Sequence, residues 1–243
     1  MVSKIPVDSN PPRTDAPTSL IRLWRVYKDY STPAGPFRAL KDITIEILPG
    51  EFVAVVGKSG AGKTTLVNMI TGVDHATSGE VVVNGAHLRQ MNETQLSQWR
   101  GRSMGIIYQS FHLLPGLSLL DNVLLPMDFC NRYRRRESRE RAMDLLRQVG
   151  LEQHARKRPA EISGGEQQRV AIARALANDP AIIIADEPTG RLDSLTAESI
   201  FNIFGELVRQ GKTILMVTHD QGLARRVART LQIVDGEVSE HGG

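Results

Sequence analysis

The sequence contains a glycine-rich stretch suited to binding phosphate. GKSGAGKT, residues 57–64, has the spacing G-x-x-x-x-G-K-[ST] and lies between a predicted strand, FVAVV, and a predicted helix, KTTLVNMITG, which Gly72 closes. In such a loop the glycines let backbone amides converge on phosphate oxygens, Lys63 reaches the β- and γ-phosphates, and the Thr64 hydroxyl suits Mg²⁺. An ordinary glycine turn is the alternative, but the strand before and the helix after favour a phosphate loop.

A second stretch, far along the chain, could also hold an anion. EISGGEQQRVAIARALAND, residues 161–179, predicts a helix whose first turn is capped by Ser163 and whose glycines leave the backbone amides uncovered. The residues alone therefore show two anion-binding elements, and they do not say why one small protein has both.

Two acidic residues follow a short apolar run. AIIIADEPTG predicts a buried strand that ends in Asp186 and Glu187. Ligands of open α/β sheets bind at the carboxyl ends of the strands. We expect Asp186 to hold Mg²⁺, directly or through water, and Glu187 to polarise a water for attack on the γ-phosphate. The pair could instead cap the next turn, but its occurrence with a complete phosphate loop favours the catalytic interpretation.

Two further polar residues end predicted strands. His219 follows TILMVT, and Gln109 follows MGIIY. A lone histidine is more often structural, but a place at a strand end beside the acids favours orientation of the γ-phosphate or of water. From local features alone, Gln109 could equally have a functional role or be an ordinary polar residue of a loop. The other five histidines show no metal-ligand spacing.

The order of predicted elements indicates an α/β fold. Two β-like runs, LIRLWRVY and ALKDITIEI, come first, and from Ser163 onward helices alternate with strands, as in a parallel sheet flanked by helices. In this part the predicted helices are Ser163 to Asn178, SLTAESIFNIFGELVRQ and DQGLARRVA, and the predicted strands are AIIIAD, TILMVT and TLQIVDG. Between these parts the apolar residues recur at helical spacing. We therefore predict a disordered tail at 1–19 and one domain at 20–243, composed of a core at 20–108 and 160–243 and an inserted helical subdomain at 109–159.

Composition limits the classes of function. The 243 residues are 41% hydrophobic, enough for one substantial core, and the single Cys130 excludes an internal disulfide framework. No apolar run approaches the roughly 20 residues that cross a bilayer, so we expect a cytosolic protein with any membrane role through a partner. The net charge of +3 is too weak to imply nucleic acid. The arginine run at 132–141 is either a solvated helix face or a contact for anionic lipid or an acidic loop.

With these parts in this order, the chain from about 20 to 237 resembles the nucleotide-binding subunit of ATP-binding cassette (ABC) transporters. GKSGAGKT is similar to the Walker A motif, IIIADE to the Walker B motif and ISGGEQQ to the signature motif. The resemblance makes Gln109 the Q-loop, Asp193 the D-loop and His219 the switch histidine. Tyr30 is similar to the aromatic that stacks on adenine, with Tyr27 as second choice.

The resemblance implies a P-loop NTPase core with a mostly parallel sheet, an N-terminal antiparallel β portion and an inserted helical subdomain. It also implies ATP and Mg²⁺ as cofactors. The residues expected to act in catalysis are Glu187, His219, Lys63 and Gln109, and those expected at Mg²⁺ are Thr64, Gln109 and Asp186. The residues expected at the nucleotide are Tyr30, Gly57, Ser59, Gly60, Ala61, Gly62, Lys63, Thr64, Thr65, Ser163, Gly164, Gly165, Glu166 and Asp193.

In this family two subunits pack head to tail, so that the signature helix of each chain covers the γ-phosphate held by the other chain's glycine loop. The resemblance thereby explains the two anion-binding elements, since one site needs two half-sites. It implies a second copy of the chain and an integral membrane permease as partners, no nucleic acid, and a location at the cytoplasmic face of the membrane. The segment 111–127, rich in leucine, is a candidate for permease docking.

YQSFHLLPGLSLLDNVLLPM and ADEPTGRLDS are similar to the subclass that serves lipoprotein release, macrolide-type efflux and peptide-antibiotic detoxification. The sequence departs from the family at Arg191, where asparagine is usual, and at Glu166, where glutamine is usual. The alternatives are a soluble cassette ATPase of DNA repair, a ribosome-associated cassette and an inactive regulatory subunit. The compact middle segment disfavours the DNA-repair ATPase, and the presence of a single cassette disfavours the ribosome-associated protein. The complete set of catalytic residues disfavours an inactive subunit.

Overall fold

The computed structural model describes residues 19–33 and 35–242, so the tail predicted at 1–19 lies outside the described residues except for Ser19. The strands are β1 (Ile21–Thr32), β2 (Gly35–Ile47), β3 (Phe52–Val56), β4 (Ser78–Val83), β5 (Ala86–His87), β6 (Met104–Tyr108), β7 (Ile182–Asp186), β8 (Thr213–Val217), β9 (Arg229–Val234) and β10 (Glu237–Gly242). The helices are α1 (Lys63–Thr71), α2 (Glu93–Ser103), α3 (Leu119–Phe129), α4 (Arg135–Gln148), α5 (Gly164–Ala175), α6 (Ser194–Arg209) and α7 (Gln221–Ala224).

The strands form two sheets. The larger has the order β10-β9-β3-β8-β7-β6 and is parallel apart from the β9-β10 hairpin, and the smaller is antiparallel with the order β2-β1-β4-β5. The predicted mixed α/β class, with its antiparallel N-terminal portion and its helical insertion, is confirmed. The residue boundaries chosen for core and subdomain remain a prediction.

The parallel sheet separates two hydrophobic cores because strand side chains alternate between its faces. On β7, Ile182 and Ile184 pack into the core beneath the antiparallel sheet and α1, whereas Ile183 and Ala185 pack against α3, α5 and α6. All four residues are fully buried. A strand covered on both sides reads as a continuous apolar run, which is why IIIA could be recognised in the sequence.

Helix α5 is shorter than predicted, since it ends at Ala175 rather than at Asn178. The Asn178 amide leaves the helical path to donate hydrogen bonds to the carbonyls of Gly101 (2.9 Å) and Pro126 (2.8 Å). Arg141 from α4 donates to the carbonyls of Leu176 and Ala177, which the helix end leaves unpaired. Part of the arginine run thus holds the end of α5, while Arg134, Arg135, Arg136 and Arg139 are exposed.

Helix α7, predicted over DQGLARRVA, spans only Gln221–Ala224, capped by Asp220. Four elements were not predicted: α2, the β4-β5 hairpin and the final strand β10. No helix among the described residues is long and apolar enough to cross a membrane.

Substitution of Phe204 would test the packing of the core between the parallel sheet and the helices. It is completely buried and meets Phe52 edge-on with a centroid distance of 6.3 Å, whereas Phe129 at the end of α3 is 76% exposed. We predict that Phe204→Ala lowers the free energy of unfolding by about 3–5 kcal/mol and that Phe129→Ala changes it by less than about 0.5 kcal/mol. Urea denaturation measures both, and equal effects of the two substitutions would contradict this packing.

Candidate functional site

The glycine loop after β3 presents an open helix end. Gly60 and Gly62 have φ values of 80° and 112°, a region that residues with a side chain rarely adopt. Gly62 is the N-cap of α1 and offers no side chain to the first-turn amides. These amides are therefore available to an anion, and the helix dipole favours negative charge at this position.

A cavity of about 310 Å³ lies over this loop. It is lined by Tyr30, Phe37, Ala39, Ser59, Gly60, Gly62, Lys63, Thr64 and Thr65. Most residues predicted for nucleotide binding on the N-terminal half of the chain thus share one space. Gly57 and Ala61 do not line it. Ala61 is buried, and the Gly57 carbonyl accepts a hydrogen bond from Lys63.

Lys63 bends back over the loop. Its Nζ donates to the carbonyl oxygens of Gly57 (2.8 Å) and Lys58 (3.1 Å), and its charge acts on Asp186. The ammonium is therefore held over the loop, where it can neutralise phosphate charge, and its charge acts to lower the pKa of Asp186.

Asp186 ends β7 in an unfavourable electrostatic environment. Burial, and after it the charge of Glu187, raises the pKa of Asp186, and Lys63 opposes the rise only in part. A divalent cation would relieve this cost. The Thr64 hydroxyl and the Asp186 carboxylate are hard oxygen donors of the kind Mg²⁺ takes, and Mg²⁺ needs few protein ligands because it retains water and binds phosphate.

Glu187 and His219 are in direct contact. The Oε2 atom of Glu187 lies 2.8 Å from Nδ1 of His219, and the Glu187 side chain is 18% exposed while that of His219 is 69% exposed. Glu187 has a φ of 49°, and its amide donates to the Val217 carbonyl (2.9 Å). The Glu187 carboxylate is thus fixed beside His219 and follows Asp186, whose carboxylate could bind a divalent cation.

Gln109 packs against the turn that follows Glu187. A Cβ atom added to Gly190 would lie 2.7 Å from Nε2 of Gln109, so a side chain at position 190 would force the Gln109 amide to move. Asp193, further along the same turn, caps α6 by accepting from the Thr196 amide (3.0 Å) and hydroxyl (2.6 Å). Gln109 thus lies beside Gly190 and directly follows Tyr108, which pairs with Asp186, whereas Asp193 has a capping role that the sequence did not predict.

The second anion-binding element lies at a different place on the same chain. Ser163 caps α5 in a capping box with Glu166, as the sequence predicted for Ser163. The Glu166 carboxylate accepts from the Ser163 amide (2.8 Å) and hydroxyl (2.7 Å), which lowers the pKa of Glu166. Ser163, Gly165 and Glu166 line a cavity of about 250 Å³ with Leu195 and Thr196. It shares no lining residue with the cavity over the glycine loop.

Sequence reasoning missed several residues around the first cavity. Phe37 lines it. Asp74 accepts a hydrogen bond from the Tyr30 hydroxyl and another from the Lys28 ammonium. The alternation of β2 could have placed Phe37 on a face of the sheet, but no local pattern identifies Asp74.

A family model described as ABC transporter matches residues 40–190. The chain belongs to the ABC transporter family. The ABC transporter ATP-binding protein YvrO of Bacillus subtilis (strain 168), described as uncharacterized, is 43% identical over 219 residues, which cover 90% of this chain and 95% of YvrO.

Solved ABC cassettes agree with this fold. The dimeric structure of MJ0796, a bacterial ABC transporter cassette, aligns with a TM-score of 0.83 and 42% identity, covering 91% of this chain and 98% of that one. A dimeric post-hydrolysis state of MJ0796 bound to ADP and Pi aligns with a TM-score of 0.83 and 41% identity over the same shares of the two chains. The present ABC cassette is therefore an ATPase of the P-loop NTPase fold.

The contact between Glu187 and His219 predicts separable effects on binding and on turnover. We predict that Glu187→Gln retains ATP binding but lowers hydrolysis by about 10²- to 10⁴-fold, because it removes a positioned base and leaves Lys63 in place. Phosphate release and nucleotide affinity measure the two effects. A variant that hydrolyses ATP at the wild-type rate would show that Glu187 is not the base.

Lys63→Ala should instead weaken both nucleotide binding and hydrolysis, because it removes the charge that faces the phosphates. The control is Lys58→Ala, which removes an exposed lysine from the same loop. We expect Lys58→Ala to leave both quantities within about twofold of the wild type, since its side chain lies outside the lining of the cavity. Equal losses in the two variants would contradict the assignment of Lys63.

Proposed function

We propose that this ABC cassette binds Mg-ATP, dimerises around it, and uses hydrolysis to drive a separate membrane permease. The observation that carries the proposal is the grouping of Lys63, Asp186, Glu187 and His219 at one edge of the parallel sheet, beside the open end of α1. This arrangement supplies a phosphate cradle, a metal ligand and a base with a polar partner on one chain.

The roles of the residues follow from their positions. The α1 amides and Lys63 hold the phosphates, and Thr64 and Asp186, with Gln109, are the residues that would hold Mg²⁺. Bound Mg²⁺ would supply charge neutralisation at the phosphates. Glu187 accepts the proton of the attacking water, and His219, 2.8 Å away, holds the carboxylate in position. Tyr30 contacts the base.

The separation of the two anion-binding elements supports a site built in trans. Ser163 lines one cavity and Lys63 lines another, and the two cavities have no lining residue in common. A helix N-terminus with two glycines and a serine hydroxyl is suited to a γ-phosphate, but not to the one held by the same chain. We therefore assign the Ser163 element to the nucleotide of a second copy of this chain, which is consistent with the dimeric structures of MJ0796.

The permease proposal rests on family membership and on a loop of the helical insertion. Buried Asn122 accepts from the Leu114 amide (2.7 Å) and donates to the Leu114 carbonyl (3.1 Å), which fixes this loop with the Leu114 side chain 46% exposed. Leu119, Leu120, Val123, Leu124 and Met127 are instead buried in the core. The docking surface proposed for 111–127 therefore reduces to the loop around Leu114.

The finer assignments belong to the same proposal. The subclass of lipoprotein release, macrolide efflux or peptide-antibiotic detoxification rests on the similarity of 108–127 and 185–194 stated above. Location at the cytoplasmic face of the membrane follows if the permease partner is correct.

The trans arrangement predicts ATP-dependent dimerisation. In the Glu187→Gln background, Mg-ATP should shift the protein from monomer to dimer, because each nucleotide would bridge two chains. Ser163→Arg should prevent this shift without preventing nucleotide binding. Sedimentation measures the shift, and Ser239→Arg, which adds the same charge at an exposed serine of β10, is the control. A dimer that persists in Ser163→Arg would refute the trans site.

The docking proposal predicts a selective loss of coupling. Leu114→Arg should release the cassette from membranes and abolish transport while leaving basal ATP hydrolysis within about twofold, because Leu114 lies outside both cavities. Phe129→Arg, a substitution at another exposed apolar residue of the insertion, is the control. Unchanged co-purification of Leu114→Arg with membrane protein would count against docking at this loop.

A further inference from the structure

Gln168 is a polar side chain buried inside the domain. It lies on α5 and is completely inaccessible to solvent, and its Nε2 atom donates a hydrogen bond to the Pro188 carbonyl (2.8 Å). Among the described residues, its Oε1 atom has no hydrogen-bond partner. A buried amide that leaves its oxygen unpaired costs stability, so packing alone does not explain a glutamine at this position.

The Pro188 carbonyl lies next to the proposed base in the chain, because Pro188 directly follows Glu187. The proline ring fixes the φ angle of Pro188 and also restricts the backbone of the residue before it. Glu187 has a φ of 49°, a conformation that the surrounding structure has to maintain. The two residues therefore have little backbone freedom, and a side chain that holds the Pro188 carbonyl also holds the backbone that carries the Glu187 carboxylate.

The helix that carries Gln168 also carries the second anion-binding element. Ser163 is the N-cap of α5, and Gln168 lies about 7.5 Å further along the helix axis. The helical period places the two side chains on different sides, so that Ser163 lines its cavity and Gln168 points into the interior. α5 is thus one rigid element that combines an anion-binding end with a contact to the segment after Glu187.

A second contact joins α5 to the far end of that segment. The turn over 187–193 ends at Asp193, which accepts hydrogen bonds from the amide and hydroxyl of Thr196. The Thr196 side chain packs so closely against Gly165 that a Cβ atom at Gly165 would overlap it. α5 therefore contacts the turn near both of its ends, and a shift of the helix would be passed to the turn at two points.

We propose that Gln168 is a positioning residue for Glu187, which transmits the placement of the Ser163 end of α5 to the base through the Pro188 carbonyl. The inference rests on the proposed function, since it takes Glu187 as the base and Ser163 as the element that meets the nucleotide of a second copy. In the dimer, contact of Ser163 with that nucleotide sets the position of α5. Gln168 then holds Glu187 of the same chain in its catalytic orientation, so that dimer formation and readiness of the base are linked.

The first test removes the hydrogen bond without changing the size of the side chain. Gln168→Met keeps an unbranched side chain of similar volume that has no donor. It should lower kcat for ATP hydrolysis by about 10- to 100-fold, because a displaced base loses its alignment with the attacking water. ATP affinity should stay within about twofold, since Lys63 and the α1 amides are unaffected. A variant that hydrolyses ATP at the wild-type rate would overturn the proposal.

Gln167→Met, at the next residue of α5, is the matched control. The Gln167 amide lies 3.4 Å from the Ile162 carbonyl and makes no contact with the turn after Glu187. We expect this variant to keep kcat and ATP affinity within about twofold of the wild type. Equal losses of kcat in Gln167→Met and Gln168→Met would show a general disturbance of α5 and would overturn a specific role for Gln168.

The second test asks whether the loss acts through Glu187. If it does, Gln168→Met should not further lower the residual single-turnover rate of Glu187→Gln. Gln168→Glu should recover activity relative to the wild type as the pH falls from about 8.5 to about 6. Burial beside a carbonyl raises the pKa of that carboxyl, and its protonated form donates a hydrogen bond as the amide does. An additive loss with Glu187→Gln, or no recovery at low pH, would overturn the positioning role.

Dimerisation separates failure of this inference from failure of the proposed function. With Mg-ATP, Glu187→Gln and Gln168→Met/Glu187→Gln should form dimers at the same protein concentrations, because the Ser163 cap is intact in both. If neither dimerises, the proposed function is wrong. If both dimerise and Gln168→Met hydrolyses ATP normally, only the coupling through Gln168 is wrong. If the double variant alone fails to dimerise, Gln168 serves assembly and its positioning role is overturned.

Discussion

The parallel pairing of β6, β7 and β8 is the constraint on which the site depends. This register sets Tyr108 beside Asp186 and Asp186 beside Val217, so the three strands end at one level. The residues that follow them emerge together at one edge of the sheet. β3 is paired to β8 up to Val55, and the glycine loop therefore begins at the same edge. A slip of one residue would send alternate side chains to the other face and separate the acids from the loop.

Local backbone geometry then determines where the Glu187 carboxylate points. Glu187 is in the left-handed region, which is uncommon for a residue with a side chain and costs on the order of 1–3 kcal/mol. Its amide is held by Val217, and its carbonyl accepts from the Gly190 amide (3.2 Å), so the neighbouring structure enforces the conformation. An extended residue at this position would point its side chain elsewhere. We infer that the strain serves the contact with His219.

The sequence predicted the elements whose signals are local. The apolar runs of β3, β7 and β8 and the caps Gly72 and Ser163 each follow from a few adjacent residues. Two hairpins were missed although Asn84-Gly85 and Asp235-Gly236, all with positive φ, carry the usual turn signal. The β4-β5 and β9-β10 pairs were thus predictable from the dipeptides.

Contacts between distant parts of the chain were beyond local reasoning. Strand ends indicated that Glu187 and His219 share an edge, but not that they touch, and nothing local to Tyr30 identifies Asp74 as its partner. Such contacts depend on the register and on the close approach of elements. The catalytic roles of Glu187 and His219 and the metal-binding role of Asp186 remain predictions that the geometry supports.

The departure at Glu166 bears on how the two proposed half-sites meet. A glutamine amide can donate or accept, whereas an ionised glutamate only accepts, so the Ser163 proton is directed to Glu166. If Ser163 is to donate to a phosphate on the partner chain, it must leave this bond. The Ser163–Glu166 contact is exposed to solvent, and exchanging an exposed hydrogen bond for one to a charged phosphate is favourable. Glu166 also adds a negative charge near the proposed phosphate position. The capping box therefore holds the N-terminal end of α5 in the conformation that the proposed dimer needs. The negative charge of Glu166 makes formation of that dimer more dependent on the positive charges of the metal and of Lys63.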